Sequence, residues 1–375
     1  MRLVINLKLL PTVRQAVALE QTLERANAAC NAISTTAWRE QVSGQYWLHK
    51  KVYYTIKADF TLTAQMVVRC IAKVADAYKM DRKSQRIFQP KGSIAYDDRI
   101  LRFLKTDQVS IWTVGGRQTV PFVCGERQRA LLSFRKGETD LVYCDGKFYL
   151  NVVCEVDEPP LLEATDVLGI DLGIVNIASD SDGETYSGGQ VNGLRKRHAR
   201  LRTRLQSRGT RSAKQLLKKR RRKEMRFARD INHCISKRLV AKAQCTKRAI
   251  ALENLQGIRS RMKVRRSQRR QQHSWAFFQL RSFVEYKAKL AGVPVLLVDP
   301  RYTSQTCPAC GYVSRSNRPS QALFSCVSCG LAGPADTIAA ENIRVLGRVL
   351  VNAPHVSPSP GEMGRDKLPA LAGSG

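Results

Sequence analysis

Two Cys-x-x-Cys pairs, Cys307-Pro-Ala-Cys310-Gly311 and Cys326-Val-Ser-Cys329-Gly330, stand 15 residues apart. The two-residue spacing lets one tight turn present both sulfurs to one ion, and four thiolates at ~2.3 Å complete a tetrahedral Zn²⁺ shell. The glycine after each second cysteine permits the positive φ that such a turn calls for. Tyr312 and Phe324 flank the loops as a hairpin ribbon would set them. With four protein ligands the site is closed, so it is structural and not hydrolytic. Four unrelated buried cysteines, or a redox pair, are the competing readings. The other seven cysteines (Cys30, Cys70, Cys124, Cys144, Cys154, Cys234, Cys245) sit mainly in apolar runs and read as core residues.

Three carboxylates lie in apolar surroundings. Asp171 falls within Leu168-Gly-Ile-Asp-Leu-Gly on a predicted buried strand, Glu253 ends the apolar strand Ala249-Ile-Ala-Leu-Glu, and Asp336 starts the last helix. Burying an unpaired carboxylate is expensive, and metal coordination is one remedy. Carboxylates and water suit Mg²⁺ or Mn²⁺. Two such ions ~4 Å apart can activate a water and stabilise the leaving oxygen in phosphodiester hydrolysis. Taken singly, Asp171 also reads as a turn residue, Glu253 as a strand-end charge and Asp336 as an ordinary N-cap. Separations of 82 and 83 residues allow the three to converge without requiring it.

These groups need elements to hold them. Arg2 to Leu10 reads as a short strand ending at Pro11, after which Thr12 can cap a helix buried along Ala16, Leu19, Leu23, Ala26, Cys30 and Ile33. Met66, Val67, Cys70, Ile71, Val74, Ala77 and Tyr78 mark another helix, so about 13–85 forms a helical module. From about 86 to 160 the period becomes two, with turns at Asp97-Asp98, Gly115-Gly116 and Asp145-Gly146; this predicts an antiparallel module, a small barrel, closed by a linker at Asp157-Glu158-Pro159-Pro160. Then come two or three strands with a turn at Asp182-Gly183, basic helices broken near Arg208-Gly209-Thr210, and the strand 248–255. A helix carrying Trp275, Phe278, Phe283, Tyr286 and Leu290 follows, ending at Gly292, and then VPVLLVDP as a buried strand. Beyond the cysteines lies the short helix from Asp336 to Leu350 and a Pro/Gly/Ser-rich tail from about 353 whose composition predicts disorder.

Charge names the class of partner. The chain's 375 residues hold 63 Lys+Arg against 31 Asp+Glu, a net charge of +32. Between Arg195 and Arg270 stand 29 Lys+Arg and only Glu224, Asp230 and Glu253, so this stretch carries +26. Too few acids lie nearby for the run to be a self-paired helix face, and a polyanion is the natural counterpart. No run approaches the ~20 apolar residues of a membrane span, and MRLVINLKLLPT is no secretory signal. A cytoplasmic protein with reduced thiols is expected. Trp38, Trp47, Tyr53 and Tyr54 near a basic module can stack bases, or serve as ordinary core and interface aromatics.

Five segments carry a resemblance. GIDLGIVN (169–176), ALENLQGIR (251–259), YKAKLAGVPVLLVDPRYTSQTCPACG (286–311), FSCVSCG (324–330) and ADTIAAENI (335–343) resemble the TnpB proteins of IS200/IS605-type insertion elements, relatives of the type V CRISPR effector nucleases. The resemblance implies a multi-domain α+β chain. A helical recognition domain (13–85) and a β-barrel wedge domain (1–12 and 86–164) come first. An RNase H-like (RuvC) α/β nuclease domain (165–303 and 334–352) follows, with an inserted zinc ribbon (304–333) and the tail 353–375. It further implies Asp171, Glu253 and Asp336 as catalytic acids holding Mg²⁺, and Cys307, Cys310, Cys326 and Cys329 as structural Zn²⁺ ligands. The partners implied are a guide RNA derived from the element's end and double-stranded target DNA with a short adjacent motif, both strands being cut by one site. A monomer in the ribonucleoprotein is expected. Where the family commonly has Asn two residues after the third acid, this chain has Ile338; Asn342 is retained. A nuclease-inactive RNA-guided DNA-binding regulator is the alternative, and it would be expected to lose one of the acids. A zinc-ribbon RNA-binding protein without activity is a third reading, which leaves Asp171 on its apolar strand unexplained.

Overall fold

Apolar residues alternate along Arg2–Leu9 (β1), and in the computed structural model, which describes residues 1–255 and 277–352, this strand lies at the centre of a seven-stranded sheet. Thr12 caps α1 (Val13–Arg39) through a capping box with Gln15. Helices α2 (Gln45–Phe60) and α3 (Ala64–Met80) follow, the latter capped by Thr63. Leu19, Leu23, Ala26, Cys30 and Ile33 are fully buried, as the three-and-four spacing predicts, and Ala16 packs against them.

The antiparallel strands β2 (Ile94–Tyr96), β3 (Leu101–Leu104), β4 (Gln108–Thr113) and β5 (Gly116–Val123) come next. A short helix α4 (Glu126–Leu132) leads into β6 (Arg135–Cys144) and β7 (Lys147–Glu155). The order β2-β6-β7-β1-β5-β4-β3 leaves β2 and β3 as the two edges. These edges are consecutive in the chain, so the sheet curls into a nearly closed barrel. The β6–β7 hairpin turns on Asp145 and Gly146, both at positive φ, as a two-residue primed turn demands. Barrel and helices share one hydrophobic core, and chain contacts divide between Asp157 and Glu158.

The second unit is built on β8 (Asp166–Asp171), β9 (Asn176–Asp180), β10 (Thr185–Ser187), β11 (Arg248–Glu253) and β12 (Val295–Val298) in the order β10-β9-β8-β11-β12. The first three strands pair antiparallel; β8, β11 and β12 pair parallel. The second unit is thus a mixed-sheet α/β domain. Between β10 and β11 run α5 (Gly189–Arg208) and α6 (Arg211–Cys245), separated by Gly209 at φ +63° and capped by Thr210, where the sequence breaks the helix. Helix α7 (Phe277–Ala291) precedes β12, and α8 (Ala335–Asn352) follows the ribbon strands β13 (Leu323–Ser325) and β14 (Ala332–Pro334). Trp275, the basic segment from Arg259 to Arg270 and the tail lie outside the described residues.

The two faces of the sheet are covered differently. Leu168, Ile170, Ile250 and Leu252 pack with residues of α6 and α7, while Val167, Ala249 and Ala251 pack with Ile343 of α8. Alternation then puts Gly169, Asp171 and Glu253 on the α8 face. A partly buried ion-pair cluster ties the β9–β10 turn down on the other face: Lys242 reaches Asp180 at 2.5 Å and Asp182 at 3.0 Å, and Arg248 bonds Asp182 at 2.8 and 2.6 Å. Helix α8 can approach because Gly169 has no side chain; a Cβ there would stand 2.1 Å from the Ala340 carbonyl oxygen and 2.5 Å from the Arg344 amide nitrogen. Gly169→Ala is therefore expected to push α8 off the sheet, destabilising the second unit by about 3 kcal/mol. Thermal denaturation checks it: the midpoint should drop by roughly 6 to 12 °C.

Two expectations fail here. VPVLLVDP forms an edge strand, half-buried with Leu297 exposed, because β12 ends the sheet and pairs with β11 alone. Of the seven spare cysteines, Cys30, Cys70 and Cys154 are buried and Cys124 partly so, but Cys144, Cys234 and Cys245 are exposed. Cys144 flanks the Asp145-Gly146 turn, and the other two lie on solvent-facing positions of α6. Hydrophobic neighbours in a run do not fix which face a single residue takes.

Candidate active site and metal centre

Strands β8 and β11 are parallel neighbours with Ile170 beside Leu252, so one residue further Asp171 and Glu253 end adjacent strands together. Carboxyl ends of parallel strands are where open α/β sheets present their sites. Asp336, in the first turn of α8, belongs to the same group: its charge and that of Glu253 both act on Asp171. Burial first, then Glu253, then Asp336, push the Asp171 carboxyl from 3.8 up to about 7. Burial raises Glu253 as well, opposed by a hydrogen bond from Thr303. The structure thus brings Asp171, Glu253 and Asp336 into one electrostatic cluster. The turn-residue, strand-end and N-cap readings do not account for it; α8 begins one residue before Asp336.

Neighbours that the sequence did not point out orient these acids. Asn176 Nδ2 donates to Asp336 Oδ2 at 2.9 Å, and the Arg318 guanidinium stands 3.6 Å from Asp336 Oδ1. Arg318 also draws Asp171 and Glu253 back toward ionisation. Thr303 Oγ1 donates to Glu253 Oε1 at 2.5 Å. Asn176 lies in the quoted GIDLGIVN segment, but its partner is 160 residues away, beyond any local pattern. Three partly buried carboxylates, two of whose charges raise the pKa of Asp171, are donors of the kind that suits hard divalent cations such as Mg²⁺ or Mn²⁺.

The cysteine module is two copies of one turn. In each, the first cysteine's amide donates to the carbonyl five residues on (Cys307 to Tyr312, Cys326 to Leu331), and the following glycine's amide returns to that cysteine's carbonyl. Gly311 and Gly330 sit at φ +72° and +78°, as anticipated. Cys307 Sγ lies 3.5 Å from Cys329 Sγ, and Cys310 Sγ 3.6 Å from Cys326 Sγ, with all four sulfurs within 4.8 Å of one another. A tetrahedron of ~2.3 Å Zn–S bonds has edges of ~3.8 Å, so the four cysteines fit Zn²⁺. The Cys329 and Ser328 amides hold the Cys326 thiol down to about 6, favouring the thiolate a metal needs. Asn317, fully buried, staples the knuckles: its Nδ2 donates to Gln305 and Tyr312 carbonyls, and its Oδ1 accepts from the Val327 amide. Ile338 packs against the ribbon's cluster of Cys307, Phe324, Cys326 and Ala335.

In the basic hairpin, Arg195, His198 and Arg202 converge on Glu224, within 4.0, 3.2 and 3.3 Å. Lys214, Lys218, Lys219, Arg220, Lys223 and Arg226 on α6 face solvent. Trp47 and Tyr54 are exposed on α2, whereas Trp38 and Tyr53 pack on the core, so the aromatic group divides between the two expectations. Among the described residues no helix is long and apolar enough to cross a membrane.

Residues 151–272 match the family model described as "Probable transposase", and residues 277–343 match "Cas12f1-like, TNB domain". The CRISPR-associated endodeoxyribonuclease Cas12f1 of Syntrophomonas palmitatica is 29% identical over 208 residues, 50% of this chain and 40% of that protein. A TnpB-like protein of Methanocaldococcus jannaschii is 37% identical over 131 residues, covering 35% and 46%. InsQ of Escherichia coli, named as a candidate RNA-guided DNA endonuclease, is 28% identical over 231 residues, 55% of each. The chain spans about half the length of the curated relatives it matches.

Proposed function

We propose that this chain, which belongs to the TnpB family through residues 151–272 and 277–343, is an RNA-guided DNA endonuclease of a transposable element. One observation carries the reading. Asp171 and Glu253 end adjacent parallel strands with Asp336 beside them in the first turn of α8, its charge acting on Asp171, inside a chain of net charge +32.

These three carboxylates would hold two Mg²⁺ or Mn²⁺ ions, which supply a nucleophilic water and neutralise charge on the leaving oxygen. Asn176 fixes one oxygen of Asp336, and Arg318 offers a guanidinium beside the acids where a phosphate would enter. Hydrolysis would leave 5′-phosphate and 3′-hydroxyl ends, the strands reaching the single site in turn. The exposed lysines and arginines of α6 suit an RNA–DNA hybrid read through its backbone and shape, with base pairing supplying sequence. The partners are then a guide RNA from the element's end and duplex DNA bearing a short adjacent motif, met in the cytoplasm by a monomer. The Cys307, Cys310, Cys326 and Cys329 module holds structural Zn²⁺.

A plasmid cleavage assay with co-purified RNA, with and without Mg²⁺, tests this, and sequencing that RNA gives scaffold and guide together. Cutting that needs both RNA and Mg²⁺ is the expected result. Target binding without cutting would favour the regulator, and absence of a discrete RNA would end the RNA-guided reading.

A further inference from the structure

We propose that Thr303 is a positioning residue for Glu253, itself fixed by Asn342, so that the helix bearing Asp336 also sets the second acid. The inference rests on the reading of Asp171, Glu253 and Asp336 as cation-holding acids. Glu253 is the last residue of β11, beyond which the sheet gives its side chain no further support. Its Oε1 accepts from Thr303 Oγ1 at 2.5 Å, and Thr303 is 4% exposed. The same hydroxyl lies 3.1 Å from the Pro300 carbonyl, but it has one proton, and the shorter bond to a charged acceptor takes it. Oε2 accepts no hydrogen bond among the described residues. One oxygen is thus tied and the other left for a cation.

Thr303 sits in a loop, so something must hold it. Tyr302 adopts φ +62°, a left-handed conformation that a non-glycine residue keeps only when its surroundings enforce it. The Tyr302 carbonyl accepts from the amides of Gln305 and Thr306. From α8, the buried Asn342 Nδ2 donates to the Thr303 carbonyl at 2.7 Å and the Thr306 carbonyl at 2.8 Å. Asn342 occupies the α8 position that grips this loop, one residue before Cys307 begins the first knuckle. Ile338, a turn earlier, faces the ribbon instead. The asparagine kept and the asparagine absent therefore have different neighbours, and the one kept is the one the Thr303 loop requires.

The test is Mn²⁺ titration of the RNA-free full-length protein, followed by paramagnetic resonance, with zinc content measured alongside. Thr303→Val keeps the shape and removes the hydroxyl; Thr303→Ser keeps the hydroxyl. Thr303→Val is expected to weaken Mn²⁺ binding about 10- to 100-fold with zinc content unchanged. Thr303→Ser should stay within about threefold of wild type. Wild-type affinity in Thr303→Val, or equal loss in both variants, overturns the proposal. Glu253→Gln is the separate control: if it binds Mn²⁺ like wild type, the cation-site reading itself has failed.

Discussion

Asp171→Asn is expected to lower DNA cleavage by about 10³-fold or more while RNA and DNA binding persist, because a ligand at the reacting centre contributes on the order of 4 kcal/mol to the transition state. The same substitution should stabilise the cation-free protein, with a pH signature. The Asp171 carboxyl ionises near 3.8 when unfolded and at about 7 when folded. Between those values the folded state binds the extra proton, so stability falls as pH rises from about 4 to about 7 and is level above that. The full penalty is at most ~4 kcal/mol. Asparagine buries no charge, so Asp171→Asn should match wild type at pH 4 and melt about 5 to 10 °C higher at pH 8. Millimolar Mg²⁺ should narrow the gap, since the wild type gains more from binding it. Melting curves at the two pH values, with and without Mg²⁺, read all three outcomes. Equal curves at pH 8 would mean that neither burial nor the charges of Glu253 and Asp336 disfavour the Asp171 carboxylate.

What the sequence made legible, and what it hid, follows the range of the interactions. The Asp145-Gly146 turn, the break at Gly209 capped by Thr210 and the two cysteine knuckles are each set by a few adjacent residues, and each is where spacing predicts. Asp171 and Glu253 stood out because a carboxylate in an apolar run is costly wherever the run goes. By contrast Thr303, Arg318 and Asn317 are polar residues in polar or loop segments and Asn176 is a neutral amide opening β9, and nothing local marks them. Their significance comes from partners such as Asp336, 160 residues from Asn176, or Glu253, 50 residues from Thr303. Gly169 reads as a small strand residue until α8 is seen to press on it. Cys234 and Cys245 mislead for the complementary reason: an apolar neighbourhood on a helix says little about which face one residue occupies.

Cys326→Ser is expected to reduce bound zinc from about one ion per chain to near none, and to unfold the ribbon rather than leave it loosened. The ribbon's described strands are only three residues each, and its buried cluster is small and includes Cys307 and Cys326 themselves. So few apolar contacts cannot offset the entropy of ordering the loops. Binding to four thiolates contributes on the order of 10–16 kcal/mol, so here metal binding and folding are one event. Asn317 cannot substitute for the ion, because its three hydrogen bonds join the two turns without holding the four sulfurs. The consequence should reach the acids. Cys307 follows the loop that carries Thr303, and Ile338 of α8 packs on the ribbon. Loss of zinc therefore frees both the Thr303 loop and one side of the helix bearing Asp336. Emission spectroscopy should report the zinc loss. Mn²⁺ titration of Cys326→Ser should show weakening at least as large as in Thr303→Val, about 10-fold or more. Full Mn²⁺ affinity in a zinc-free protein would mean that the ribbon and the acids fold independently.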